Sequence, residues 1–220
     1  MILAAGRGER MRPLTDKTPK PLLQVGGKYL IQYHLEALAS AGFEKVVINH
    51  CWLGAQIVET LGDGRRFGLE ILYSEEREAL ETGGGIFQAL PFFDSQPFCV
   101  LNGDIWTDFD FSALPETTGN QAHLVMIENP QHHPGGDFSL DKDRLLPDGP
   151  NMKTFSGIGV YKADLFSNCK SGRFPLAPLL RQAMIAGLVS GEVYSGLWFD
   201  VGTPERLLEI EKSVRNSCLL

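Results

Sequence analysis

The first twenty residues constrain this chain more than any other stretch. Ile2-Leu3-Ala4-Ala5 is an apolar strand that runs into Gly6-Arg7-Gly8-Glu9-Arg10-Met11-Arg12-Pro13 and then Thr18-Pro19-Lys20-Pro21. A strand that delivers a glycine turn can bring backbone N–H groups against anionic oxygens, because glycine lets the chain turn tightly and approach closely. Arginine forks onto phosphate oxygens and lysine adds a compact point charge, so Arg10, Arg12 and Lys20 suit a polyphosphate. Five cations and two anions lie in residues 1–20 of a chain whose formal net charge is -7. That local gathering is what lets an acidic protein take a multiply charged anion. The same overall acidity, with no interleaving of aromatic and basic residues elsewhere, argues against nucleic acid as a partner.

Two other phosphate loops are excluded by spacing. A dinucleotide loop places a third glycine where Met11 stands and opens a helix on the glycines, whereas Pro13, Pro19 and Pro21 predict an extended segment. Gly26-Gly27-Lys28 lacks the spacing of a Walker loop and reads as a turn ahead of a helix.

A length of 220 residues allows one sizeable core, and a single domain over 1–220 is expected. No apolar run approaches the roughly twenty residues of a membrane span, and the start lacks the charged and apolar regions of a signal peptide. A soluble, cytoplasmic protein without a membrane partner is therefore expected, as a monomer or small homo-oligomer. The chain opens directly on a strand, which leaves room for natural residues ahead of Met1. Cys51, Cys99, Cys169 and Cys218 form no Cys-x-x-Cys pair and are expected as reduced, buried thiols.

Hydrophobic periodicity predicts helices over Tyr29 to Ala41, Leu53 to Leu61, Ile86 to Leu90, Pro175 to Ala186 and Pro204 to about Val214. Strands are predicted at Lys45 to Asn49, Leu69 to Tyr73, Pro97 to Leu101, Ala122 to Ile127, Phe155 to Tyr161 and near Glu192 to Tyr194. Alternation of strands with helices implies parallel neighbours and right-handed crossovers, an α/β fold. Residues 128–157 hold a polar, Gly/Pro-rich stretch that reads as an excursion at the ligand-bearing edge of the sheet.

Two aspartates stand where strands should end. Phe98-Cys99-Val100-Leu101 feeds Asn102-Gly103-Asp104, and Trp198-Phe199-Asp200-Val201-Gly202-Thr203-Pro204 places Asp200 before a helix capped by Thr203 with Pro204 in its first turn. Magnesium takes one or two carboxylates together with waters and phosphate oxygens, so Asp104 and Asp200 facing a phosphate loop would suffice as the protein share of such a site. The alternative is that Asp104 caps a turn and Asp200 belongs to the helix entrance. Gly83-Gly84-Gly85 opens a helix and permits close approach of a flat base or sugar, with Glu78 or Glu81 placed to accept from an imide N–H; the alternative is a flexible turn. His50 and His132-His133 have no partners at metal-ligand spacing. Trp106, Phe109 and Phe111 read as packing or pocket wall.

Taken together these motifs resemble the sugar-1-phosphate nucleotidyltransferases. The resemblance rests on Leu3-Ala4-Ala5-Gly6-x-Gly8-x-Arg10-Met11-x-Pro13-Leu14-Thr15, Pro19-Lys20-Pro21, the Gly83 loop, Asn102-Gly103-Asp104 and Trp198-x-Asp200-x-Gly202-Thr203, and covers nearly the whole chain. It implies a Rossmann-like, three-layer α/β fold with a mixed, mostly parallel central sheet. It assigns Arg10 and the Gly6 to Gly8 backbone to a triphosphate, Lys20 to the reacting phosphates and Asp104 and Asp200 to Mg2+. Ala5, Arg7, Glu78, Thr82 and Gly83 complete the nucleotide contacts. Asn102 falls to the sugar phosphate, and Gly136, Asp137, Ser156 and Gly157 to the sugar by analogy with the family's sugar loops.

Within the family, the wording around Tyr33-His34-Leu35, Asn49-His50-Cys51-Trp52-Leu53-Gly54, Leu80-Glu81-Thr82 and Asp104-Ile105-Trp106-Thr107 is most similar to members acting on a muramyl phosphate. The reaction so implied joins UTP and N-acetylmuramic acid α-1-phosphate to give UDP-N-acetylmuramic acid and pyrophosphate, in bacterial peptidoglycan recycling. Thymidylyl transfer to glucose-1-phosphate and guanylyl transfer to mannose-1-phosphate are the near alternatives, and a non-catalytic nucleotide sensor the remote one. Glu9 stands where many relatives have Thr, Asn102 precedes Gly103-Asp104, and the family's Glu-Lys-Pro segment is missing between Phe138 and Ser156. Lys153 or Arg144 would face a lactyl carboxylate, or else be a solvated surface charge. The chain stops at Leu220 without a β-helical extension, so no second activity is expected.

Overall fold

Short apolar runs separated by glycine stops become alternating strands and helices along the first third of the chain. The computed structural model describes residues 1–115 and 119–217, so Cys218 lies outside the described residues. The N-terminal segment forms β1 (Ile2–Leu3), β2 (Gln24–Val25), β3 (Lys28–Tyr29), α1 (Leu30–Ser40), β4 (Lys45–His50), α2 (Gly54–Leu61) and β5 (Glu70–Glu75). There follow α3 (Glu81–Ala89), β6 (Phe98–Asn102), β7 (Ile105–Thr107), β8 (Ala122–Ile127), β9 (Phe138–Asp141), β10 (Arg144–Leu146) and β11 (Met152–Tyr161). The chain ends in α4 (Ala177–Ile185), β12 (Val189–Val193), β13 (Trp198–Asp200) and α5 (Pro204–Ser217).

Two compact units emerge. One comprises residues 2–79, 102–113 and 197–220, and the other Met1 with residues 80–101 and 114–196. In the first unit β5, β4 and β1 lie side by side in parallel, Ile2 opposite Ile48 and Ile48 opposite Tyr73. Val46 to His50 are all buried, as expected of a parallel strand covered on both faces. In α1, Ile31, Leu35 and Leu38 recur at helical spacing with Leu30 and His34 and are buried together. A core cluster that shares Leu30 with α1 gathers Met11, Leu23, Val25, Val201, Ile210 and Val214, with Tyr33, Trp106, Phe199 and Leu207 packed against it. Met11, the position that a dinucleotide loop gives to glycine, therefore anchors the N-terminal loop to α5, and burying such a side chain contributes about 1.5–3 kcal/mol.

The second unit is mostly antiparallel. β6 pairs β11, β11 pairs β8 and β9, and β10 pairs β9 and β12, all antiparallel; only β12 and β8 run parallel. The α/β class with a mixed sheet holds, but the antiparallel ladders of the second unit depart from the mostly parallel sheet expected; the parallel ladders are β1–β4 and β4–β5 in the N-terminal strands and β8–β12 here. Strand–helix alternation is what forces parallel crossovers, and it stops after β6.

Other elements differ locally from expectation. Residues 13–22 are not extended throughout but make 3-10 turns at Leu14–Asp16 and Lys20–Leu22, since proline is tolerated at the start of a helix, and a further 3-10 turn precedes them at Glu9–Met11. The third helix begins at Glu81 rather than Ile86 and takes in all three glycines. The polar excursion contains the β9–β10 hairpin. Cys51, Cys99 and Cys169 are free thiols; Cys99 is buried and the other two are partly exposed. Among the described residues no helix is long and apolar enough to cross a membrane.

Candidate active site

Gly8 adopts φ +66, and a Cβ there would stand 3.0 Å from the Thr15 methyl, so the turn demands glycine on both counts. Thr15 is fully buried and its Oγ1 donates to the Gly8 carbonyl at 2.7 Å, pinning one side of the loop to the other. At the loop's entrance the Ala4 N–H donates to Asn49 Oδ1 at 2.8 Å, and Asn49 Nδ2 donates to Glu76 Oε1 at 2.6 Å. Asn49 and Glu76 are both buried, and the sequence reading missed them as supports of the loop. Ala5, Gly6, Gly8 and Arg10 lie along this turn, with Gly6 and Arg10 exposed. Arg7 turns aside: its Nη1 donates to the Thr15 carbonyl at 3.0 Å and its Nη2 lies 3.4 Å from Asp16 Oδ1. Glu78, exposed, falls in the same unit as the loop.

Lys20 begins a 3-10 turn and is buried, yet its ammonium is not isolated. Nζ donates to Asp104 Oδ2 at 2.7 Å, with the lysine side chain 9% and the aspartate 40% exposed. A buried cation needs a partner of this kind, because desolvation otherwise favours the neutral amine. Asp104 is held by backbone on both sides. The preceding Gly103 N–H donates to the Leu3 carbonyl at 2.9 Å, where a Cβ on Gly103 would come within 2.6 Å of that oxygen. On the other side the Val201 N–H donates to the Asp104 carbonyl at 2.9 Å.

That last bond continues the β7–β13 ladder, in which Trp198 faces Thr107, Phe199 faces Trp106 and Asp200 faces Ile105. The two aspartates, nearly a hundred residues apart in sequence, are thus placed by one ladder, Asp200 as the last residue of β13 and Asp104 as the turn residue that leads into β7. Asp200 has its own cation: Arg206 Nη1 donates to Asp200 Oδ2 at 2.6 Å. Arg206 escaped the sequence reading, although Asp-x-Gly-Thr-Pro-x-Arg sets it one turn into the helix that Asp200 precedes. Thr203 caps that helix, accepting from the Arg206 N–H at 3.4 Å, and Pro204 follows as expected.

Behind Asp104 lies His34, buried in α1, whose Nε2–H donates to the Ile105 carbonyl at 2.9 Å. Burial lowers its pKa to about 4, against the opposing pull of that hydrogen bond and of the Asp104 charge. A neutral imidazole therefore fixes β7 next to Asp104. Trp106 meets Tyr33 edge-on at 6.0 Å, and Phe109 meets Phe111 at 5.4 Å, so these aromatics are wall and packing.

Among the described residues no group of three or more His, Cys, Asp or Glu side chains assembles. The donor chemistry still fits magnesium, since two hard carboxylates, one ending β13 and one leading into the β7 that pairs with it, are the protein share such an ion takes when phosphate oxygens supply the rest.

The remaining candidates belong to the second unit. Thr82 and Gly83 lie in the first turn of α3, where a Cβ on Gly83 would stand 2.6 Å from the Phe174 ring and one on Gly84 would strike the Gly172 carbonyl. The glycines there admit the Gly172–Phe174 segment, which is tied to α3 by Gly84 N–H to Phe174 O at 3.0 Å and Phe174 N–H to Leu80 O at 3.1 Å. Gly136 adopts φ +65. Asp137 is committed to its own loop, its Oδ1 3.1 Å from His133 Nε2 and its Oδ2 accepting from the Phe155 N–H at 2.8 Å. Ser156 and Gly157 form a bulge in β11: Ser156 Oγ donates to Val125 O at 2.6 Å and accepts from the Ile158 N–H at 3.1 Å, with Gly157 at φ +86. Lys153 Nζ is bound by both oxygens of Glu128, at 2.7 and 2.8 Å. Asn102, partly exposed, falls in the first unit with Asp104.

Comparison with known proteins follows the same lines. The nucleotidyl transferase family profile matches residues 1–138. The N-acetylmuramate α-1-phosphate uridylyltransferase of Neisseria meningitidis is 53% identical over 221 residues, covering 96% of this chain and 96% of that protein. Its namesake from Caulobacter vibrioides is 35% identical over 228 residues, covering 96% and 94%. Among solved structures, a Bacillus anthracis protein assigned as a glucose-1-phosphate thymidylyltransferase superposes with a TM-score of 0.87 at 23% identity, over 97% of this chain and 94% of that one, a likeness of fold.

Proposed function

The chain belongs to the nucleotidyl transferase family, and from that premise we propose that it transfers a uridylyl group from UTP to N-acetylmuramic acid α-1-phosphate. The products are UDP-N-acetylmuramic acid and pyrophosphate, and the setting is the cytoplasmic recycling of bacterial peptidoglycan. The near-full-length similarity to the Neisseria uridylyltransferase carries this reading, and the Lys20–Asp104–Asp200 geometry supplies a means for it.

An oxygen of the sugar phosphate forms a bond to the α-phosphorus of UTP as the bond from that phosphorus to the bridging α–β oxygen breaks, releasing pyrophosphate. The nucleophile is already anionic and needs no general base. The barrier is charge repulsion and alignment, which fixed cations and positioning lower. Gly6 to Gly8 present backbone N–H groups to the triphosphate, and Arg10 steadies the departing pyrophosphate. Lys20, held in place by Asp104, neutralises charge where the two phosphates meet. Asp104 and Asp200 would hold a magnesium ion, which when bound supplies further neutralisation between the substrates' phosphates. Arg206, donating to Asp200 Oδ2, restrains that carboxylate.

A coupled pyrophosphate assay tests the proposal, with UTP, dTTP and GTP each offered against muramyl, glucose and mannose 1-phosphates. Turnover should be greatest for UTP with the muramyl phosphate. Preference for dTTP with glucose-1-phosphate or GTP with mannose-1-phosphate overturns the substrate assignment, and no pyrophosphate from any pair overturns catalysis itself.

A further inference from the structure

Trp52 is a large aromatic that remains 36% exposed just ahead of α2. Its covered part holds the glycine loop. The Arg7 guanidinium carbon lies 3.5 Å from the centroid of the Trp52 ring, well inside the roughly 6 Å range of a cation–π contact. Trp52 Nε1 donates to the Thr15 carbonyl at 3.1 Å, and Arg7 Nη1 donates to that same oxygen at 3.0 Å. Both lone pairs of one loop carbonyl are thereby taken by the two members of the stack. One turn further along α2, Gln56 Nε2 donates to the Lys17 carbonyl at 3.1 Å. Asp16 finishes the arrangement, its Oδ1 lying 3.4 Å from Arg7 Nη2 and 3.2 Å from Arg12 Nε.

The backbone is bent to make this possible. Leu53, which follows Trp52, sits in the left-handed region at φ 52, an outlier for a bulky side chain and one that persists only where the surroundings impose it.

We propose that Trp52 is a positioning residue for nucleotide capture: with Arg7 it clasps residues 7–17 in the shape that meets a triphosphate, so that Arg7 braces the loop instead of binding phosphate itself. The inference rests on the nucleotidyl-transfer reading above and adds a residue to it. Trp52 touches no reacting atom in this scheme. It acts by removing beforehand the disorder that the loop would otherwise lose on binding.

Trp52→Leu keeps apolar bulk but loses both the ring face and the N–H, whereas Trp52→Phe keeps the ring face. For Trp52→Leu the KM for UTP should rise about tenfold, with the KM for the sugar phosphate and kcat each within about twofold of wild type. Trp52→Phe should recover most of that loss. Calorimetric titration with UTP alone should show the same order of affinities, a readout independent of turnover. Two outcomes overturn the clasp: a Trp52→Leu protein that binds UTP as wild type does, or a loss spread equally over both substrates and kcat, which is plain structural damage. Failure of the functional reading looks different, since it is wild-type protein that binds UTP in the calorimeter yet releases no pyrophosphate, with the Trp52 affinity order intact.

Discussion

Residues 102–108 with 197–203 and residues 128–157 are both rich in polar side chains, but they use them in opposite ways. In the first region the backbone beside the two aspartates is held by other backbone, through Gly103 to Leu3, Val201 to Asp104 and the β7–β13 ladder, with side chains, Thr107 and Asp108 on Leu197, used only at its far end. The carboxylates of Asp104 and Asp200 are left to face the cations Lys20 and Arg206. In the second, side chains hold the backbone. Asp137 caps the Phe155 N–H, Asn129 donates to the Pro134 and Met152 carbonyls, and Ser156 closes a bulge. Polar residues that replace missing secondary structure are scaffold, whereas polar residues on a frame already satisfied by backbone are available to a substrate.

The sharpest way to break that contrast is Asp104→Asn, which keeps shape and removes charge. Turnover should fall by ~100-fold or more while the melting temperature moves by only a few degrees, as read by steady-state kinetics and calorimetry. Wild-type turnover would remove Asp104 from the chemistry and make it a turn residue.

Next in size is an acid effect centred on His34. Its folded pKa, about 4, lies below the ordinary histidine value of about 6.5, so the unfolded state takes up the proton first as pH falls. Stability from this residue is complete above about pH 6.5 and is lost progressively down to about pH 4, reaching about 3 kcal/mol. Denaturant midpoints of wild type and His34→Gln, measured between those two pH values, should converge as the solution becomes more acidic.

In the second region, Asp137→Ala should act on stability and hardly on chemistry. Leaving the Phe155 N–H without its carboxylate should cost about 1–2 kcal/mol, or roughly 2–8 °C in melting temperature, with kcat within a few-fold of wild type. A hundredfold fall in kcat with an unchanged melting temperature would erase the distinction between the regions. Smallest of all, Lys153→Met breaks an ion pair with an exposed Glu128 and should shift stability by under about 1 kcal/mol in a thermal melt.

The legibility of the sequence followed the range of the forces involved. Helices α1 and α2 and strands β4, β5 and β8 were readable because their apolar spacing is a local property, and the Gly26-Gly27 turn because both residues need positive φ, 58 and 82. β7, with only three residues, carries no such signal, and β13, equally short, was legible only as the strand that Asp200 should end. β9 and β10 were hidden by the glycines and prolines around them. The glycines at 83–85 were legible as a place of close approach, but not as the seat of Phe174.

The order of residues alone determined that a glycine turn bearing cations would follow the first strand, that two aspartates would end strands, and that Thr203 and Pro204 would start a helix. Only the tertiary structure decided that one strand pair, β7 with β13, brings those aspartates to the same ladder, that Lys20 and Arg206 neutralise one each, and that Arg7 lies on Trp52 rather than out in the loop. Backbone preferences act over a few residues and can be read one window at a time. Charge pairing and strand pairing join positions up to a hundred residues apart, and they exist only once the chain has folded.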